Sequence, residues 1–110
     1  MKLLDVTEVI NKNRNVKICK IEAIDGKIVL YLSLDDYFGL SEDEALQSVL
    51  ETMKTELPIS HQPDIICNMP SLPRTQVGKV DYTRLNQIGR ELCQKYRDSE
   101  KLFVIRKCEE

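Results

Sequence analysis

The stretch Val16-Lys17-Ile18-Cys19-Lys20-Ile21-Glu22-Ala23-Ile24-Asp25-Gly26-Lys27-Ile28-Val29-Leu30-Tyr31-Leu32-Ser33-Leu34 decides the architecture. Before Asp25-Gly26, the apolar residues Val16, Ile18, Ile21 and Ala23 interleave with Lys17, Lys20 and Glu22. After it, Ile28, Leu30, Leu32 and Leu34 alternate with Val29, Tyr31 and Ser33. A period of two sends successive side chains to opposite faces of a strand. Asp-Gly accepts positive φ at both turn centres, as a two-residue hairpin connection requires. The segment reads as a β-hairpin.

Upstream, Asp5-Val6-Thr7-Glu8 has capping-box spacing with Asp in the Ser/Thr place, and it precedes Val9 and Ile10. This predicts a short helix over about 5–12, stopped by residues 13–15. Downstream, Asp35 to Leu40 is a loop. Ser41-Glu42-Asp43-Glu44 is a capping box, followed at helical spacing by Leu46, Val49, Leu50, Met53 and Leu57, and Pro58 ends that helix. Pro58 and Pro63 bracket a turn, and Asp64 to Met69 is a short buried strand. Pro70 to Val80 is a loop, and Asp81 caps a helix with the inner stripe Leu85, Ile88, Leu92 and Tyr96. Leu102 to Arg106 offers a further edge strand. The expected class is α+β: a small mixed sheet made of the hairpin, a third strand and a C-terminal edge strand, with about three helices packed on it.

Length and composition narrow the function classes. A chain of 110 residues supports one compact core. No apolar run approaches the roughly 18–20 residues of a bilayer span, and Asp5 interrupts any signal-like opening, so a membrane partner is not expected and a cytoplasmic location is. Residues 35–64 carry one basic and eight acidic groups and residues 74–107 nine basic and four acidic. The basic third interleaves with acids and sits mostly on a predicted helix, so a solvated face is the reading and nucleic acid is not expected. Cys19, Cys67, Cys93 and Cys108 form no Cys-x-x-Cys pair, and His61 is the single imidazole. Metal is therefore not expected, and the cysteines read as free thiols in a reducing compartment. His61 on its proline-bracketed turn faces solvent or a local hydrogen-bond partner. Asp35-Asp36 do not read as a paired acid and base.

One stretch stands apart: Leu72-Pro73-Arg74-Thr75-Gln76-Val77-Gly78-Lys79-Val80-Asp81. It joins a strand to a helix and presents Lys79 on a loop, beside a glycine that permits a conformation or a close approach closed to other residues. The nucleotide-binding pattern Gly-x-x-x-x-Gly-Lys-Ser/Thr fails, since Pro73 stands at its first glycine and Val80 follows the lysine. The whole string resembles the Leu-Pro-x-Thr-x-x-Gly-Lys-x-Asp signature of the C-terminal domain of adenylate-forming (AMP-binding) enzymes: acyl-CoA synthetases, aryl-acid ligases and nonribosomal peptide synthetase adenylation domains. Leu57-Pro58, Pro63 and the strand at Asp64–Met69 fall in the family's order, so the resemblance covers about residues 5–93.

That resemblance implies a division into a C-terminal lid domain over 1–97 and an extension over 98–110 that the family pattern does not interpret. It implies that Lys79 is catalytic in adenylation and that Gly78 lies at the nucleotide; Arg74 and Thr75 read as satisfying loop backbone groups, with no catalytic role. ATP and Mg2+ belong to the full enzyme, and none is expected on this chain alone. The implied partners are an N-terminal adenylation core, in cis or in trans, and the thiol of CoA or of a carrier-protein pantetheine. The sequence holds neither that core nor its Gly-Arg-x-Asp hinge, so the isolated chain is expected to fold and catalyse nothing. The alternative is a stand-alone, non-catalytic interaction module of the same fold.

Overall fold

The computed structural model describes residues 3–35, 39–96 and 103–106; Asp36, Leu102 and Cys108 lie outside the described residues, as does most of the 98–110 extension. The elements follow as α1 (Leu3–Asn11), β1 (Val16–Ile24), β2 (Lys27–Leu34), α2 (Glu42–Glu56), a single 3-10 turn at Ile59–His61, β3 (Ile65–Asn68), α3 (Tyr82–Lys95) and β4 (Phe103–Arg106). The strands form one sheet in the order β1-β2-β3-β4. β1 and β2 are antiparallel, while β3 and β4 each lie parallel to the strand before them in the sheet. This is the α+β fold with a small mixed sheet that the sequence implies, and β4 takes the edge position expected of the last apolar run.

Local chemistry sets the element ends. Asp25 (φ 51°) and Gly26 (φ 79°) make the two-residue turn, with Ile24 paired to Lys27 as the first rung. At α2, Ser41 Oγ accepts from the Glu44 N–H and the Glu44 carboxylate accepts from the Ser41 N–H, so two otherwise orphaned donors are satisfied reciprocally. At the start of β3, Asp64 Oδ2 accepts from the Ile28 N–H at 2.8 Å, which ties the new strand to β2.

Alternate residues of β2 enter different cores. Leu30 and Leu32 pack with Val6 and Ile10 of α1, Leu46, Val49 and Met53 of α2, and Ile66 of β3. Val29 and Tyr31 pack with Leu85, Ile88 and Leu92 of α3 and with Ile65 and Cys67. The sheet is thus the middle of three layers, with α1 and α2 on one face and α3 on the other. That burial on both faces explains why β2 is apolar at nearly every position.

In β1 the interleaved apolar residues do not share one face. The pairing shifts between Val16↔Leu34 and Ile18↔Ser33, a bulge that takes up one extra residue. Beyond it, Cys19 and Ile21 join Val16 on the α1/α2 face, Ile18 and Ile24 turn to α3, and Ala23 is exposed. A single alternating stripe cannot describe a strand that changes phase.

The α3 face carries a polar link through its core. Tyr31, fully buried, donates its hydroxyl to Glu22 Oε1 at 2.8 Å, and Asn86 Nδ2 donates to Glu22 Oε2 at 3.4 Å. Gly89 gives the tyrosine its room: a Cβ there would collide with the Tyr31 hydroxyl and stand 2.6 Å from Ile24 Cδ1. Cys19, Cys67 and Cys93 are buried free thiols. Burial pushes the Cys19 thiol up to about 11, with Lys20 pulling weakly the other way.

Candidate functional site

The segment leaving β3 is fastened at its base. The Met69 N–H donates to the Leu32 carbonyl at 2.8 Å, and Ser33 Oγ donates to the Pro70 carbonyl at 2.9 Å. Asn68 Nδ2 donates to Glu42 Oε2 at 3.1 Å and thereby joins the end of β3 to the first turn of α2. Leu72, only 2% exposed, then sinks into the α3-side core, and Val80 packs partly against the same core. Both feet of the loop therefore stand on packed hydrophobic ground.

Between the feet the chain forms a small antiparallel hairpin. Arg74 and Val80 make an isolated bridge, and the Asp81 N–H donates to the Pro73 carbonyl at 2.9 Å. The Thr75 N–H donates to the Lys79 carbonyl at 2.7 Å, and the Gly78 N–H donates to the Thr75 carbonyl at 3.0 Å. Gly78 sits at φ 88°, the left-handed residue of a three-residue hairpin loop. A Cβ at Gly78 would meet nothing within 4 Å, so the glycine is needed for its torsion and not for space. Val77, 79% exposed, marks the tip.

Lys79 stands exposed on the descending arm, two residues before the Asp81 cap of α3. Asp81 Oδ1 accepts from the Arg84 N–H at 3.0 Å, which fixes the start of the helix. Among the described residues the Lys79 ammonium has no hydrogen-bond or ion-pair partner. Such an amine is a mobile-stemmed point charge on a fixed base, free to meet an anion from outside the chain.

The other residues singled out in the sequence are not brought to this loop. Ser60 Oγ lies 2.9 Å from His61 Nδ1 on the turn before β3, at the opposite end of that strand. Asp35 directly follows β2, its N–H donating to the Asn15 carbonyl at 2.7 Å. Among the described residues no group of three or more His, Cys, Asp or Glu side chains could hold a metal ion, and no helix is long and apolar enough to cross a membrane. Arg74 and Thr75 satisfy loop backbone groups as the sequence implies, and what sequence reasoning missed is that both act on the one Gly78–Lys79 peptide: Arg74 Nη1 donates to its carbonyl and Thr75 Oγ1 accepts from its N–H, each at 3.3 Å. The Arg74-Thr75 pair is visible in the sequence, but no spacing rule assigns both side chains to that peptide.

With this geometry in view, the fold can be placed among solved structures. The chain shares its fold with a segment of adenylate-forming enzymes. Acetoacetyl-CoA synthetase from Streptomyces lividans superimposes with a TM-score of 0.59 and 21% identity over 82% of this chain. Apo MatB from Rhodopseudomonas palustris gives 0.63 and 17% over 80%. The amide bond synthetase McbA from Marinactinospora thermotolerans gives 0.57 and 17% over 76%. The chain spans 14%, 18% and 17% of those three proteins, so it corresponds to a small part of each. No model of a known protein family and no curated protein sequence matches it.

Proposed function

We propose that this chain is the C-terminal lid domain, residues 1–97, of an ATP-dependent, AMP-forming carboxylic acid ligase, and that Lys79 is its adenylation lysine. One observation carries the reading: an exposed lysine, unpartnered among the described residues, rides a pinned hairpin in a fold shared with a segment of adenylate-forming enzymes. The signature from Leu72 to Asp81 adds to it, since each of its residues has a physical task. Leu72 anchors, Pro73 and Thr75 shape the loop, Gly78 turns it, and Asp81 caps the helix that follows.

In the proposed reaction a carboxylate oxygen attacks the α-phosphorus of ATP, and pyrophosphate leaves with the electron pair of the broken P–O bond. Two anions must approach, and negative charge gathers on the bridging and phosphoryl oxygens. The Lys79 ammonium, placed between them, offsets the repulsion and stabilises the transition state. Gly78 brings the loop backbone close to the nucleotide. In a second step the thiol of CoA or of a carrier-protein pantetheine attacks the acyl carbon, loses its proton and displaces AMP. The ATP site lies in an N-terminal core domain acting in cis or in trans. Mg2+ would accompany the nucleotide there, as the described residues of this chain offer it no ligand set.

The test is a pair of single-turnover rates in the assembled enzyme. Lys79→Ala should slow acyl-adenylate formation on the order of 10² to 10³-fold, and should leave thioester formation from preformed acyl-adenylate nearly intact. An interaction made in one transition state alone affects that step alone. Equal losses in both steps, or none in either, would sink the assignment.

A further inference from the structure

We infer that Thr75, with Arg74, is a positioning residue that fixes the peptide plane from which Lys79 projects, an inference that rests on the reading of Lys79 given above. Gly78 at φ 88° is the weak point of the loop: a glycine crosses between left- and right-handed conformations at little cost, and a turn of the Gly78–Lys79 peptide would re-aim the lysine's Cα–Cβ bond. Both polar atoms of that one peptide are held by side chains from the facing arm. The Arg74 guanidinium donates to its carbonyl at 3.3 Å, and Thr75 Oγ1 accepts from its N–H at 3.3 Å. Two further bonds, from the Thr75 N–H to the Lys79 carbonyl and from the Gly78 N–H to the Thr75 carbonyl, use backbone groups that any non-proline residue supplies. What the threonine adds as a side chain is therefore the hydroxyl, and the hydroxyl grips Lys79 itself. The loop is exposed from Arg74 to Lys79, so these contacts contribute little to the core. Their effect falls on where the ammonium can be, and a displaced catalytic group loses rate steeply, on the order of 10²-fold for about 1 Å.

Thr75→Val keeps the β-branched shape and the backbone bonds but deletes the hydroxyl, and Thr75→Ser keeps the hydroxyl. In the 110-residue chain, amide hydrogen exchange at Lys79 should quicken about tenfold in Thr75→Val and stay within about twofold in Thr75→Ser, the size expected for one hydrogen bond. Amides of the sheet should exchange at the wild-type rate in both. In the assembled enzyme, Thr75→Val should lower the adenylation rate constant about tenfold with little change in KM and no change in the thioester step, and Thr75→Ser should restore it. A wild-type Lys79 exchange rate in Thr75→Val, or a wild-type adenylation rate in that variant where Lys79→Ala is impaired, overturns the clamp and leaves the assignment of Lys79 standing. A wild-type rate in Lys79→Ala overturns both.

Discussion

Two Gly-Lys pairs in this molecule follow a glycine in the left-handed region, Gly26-Lys27 at φ 79° and Gly78-Lys79 at φ 88°. In the first, the lysine is half-buried and pairs with Ile24 as the opening rung of the β1–β2 ladder. In the second, the lysine is exposed on a hairpin that belongs to no strand of the sheet. The same dipeptide with the same torsion thus closes the sheet in one place and holds an amine away from it in the other. What differs is the footing: the first turn leads straight into two long paired strands, whereas the second stands on Leu72 and Val80 and is braced by Arg74 and Thr75. A dipeptide carries no function; its mounting does.

The sharpest way to break this contrast is to remove each amine in the assembled enzyme. Lys79→Ala should lose adenylation on the order of 10² to 10³-fold, while Lys27→Ala should change neither half-reaction and should alter stability by about 0.5 kcal/mol or less. Comparable rate losses in both variants would erase the distinction. A third glycine separates torsion from room. Gly89→Ala forces a Cβ against the Tyr31 hydroxyl and Ile24, and chemical denaturation should record a loss of about 2 kcal/mol even after the better helix propensity of alanine is credited.

A pH titration sharpens the same contrast, because the strands of the first hairpin hold a buried titratable thiol and the exposed loop holds none. With Cys19 raised from 9.0 to about 11 in the fold, the native state keeps its proton where the unfolded chain has lost it. Its stabilising effect is complete below pH 9 and is lost as pH rises through about 11, with a slope of up to about 1.4 kcal/mol per unit from this group. Denaturation midpoints should fall across that window, and Cys19→Ala should flatten the fall. It should not abolish it, since burial also raises Tyr31 and Cys93. The turn glycines give a smaller loss than Gly89. Alanine at either position meets open space, so only the left-handed torsion costs, about 1–2 kcal/mol. Gly26→Ala should show that loss in full on denaturation, because the whole hairpin depends on the turn. Gly78→Ala should show less, because an exposed loop can relax, and should instead slow adenylation.

Much of the architecture was legible because its determinants are local. Asp25-Gly26 fixes a turn by torsion alone, Ser41 and Glu44 cap each other within one turn of helix, Pro58 ends α2, and Asp81 starts α3. The β1 bulge was not legible, because it depends on the pairing of Val16 and Ile18 with residues at the far end of β2. Nor was the need for Gly89, a helix glycine that sequence alone marks only as unfavourable and that makes sense once Tyr31 lies beneath it. At the candidate site, the loop, its lysine and its cap could be read from the Leu72–Asp81 string. The hairpin form of the loop, and the grip of Arg74 and Thr75 on one peptide, depend on hydrogen bonds across the turn that no spacing rule encodes.

The two feet of the Lys79 loop have a mechanical meaning. Leu72 and Val80 seat it in the same core as α3, and hydrogen bonds to Leu32 and Ser33 lock the base to β2. The loop is an arm fastened at its base, with Gly78 and the four methylenes of Lys79 as its loose joints beyond that base. Whatever turns the body turns the amine with it, so a small angular movement at the sheet is delivered at the tip as a displacement, without any local rearrangement of the arm itself. On the proposed reading, where the charge is presented becomes a matter of orientation, and the wear points lie at the fulcrum: loosening Leu72 would blur the aim of Lys79 without touching the lysine.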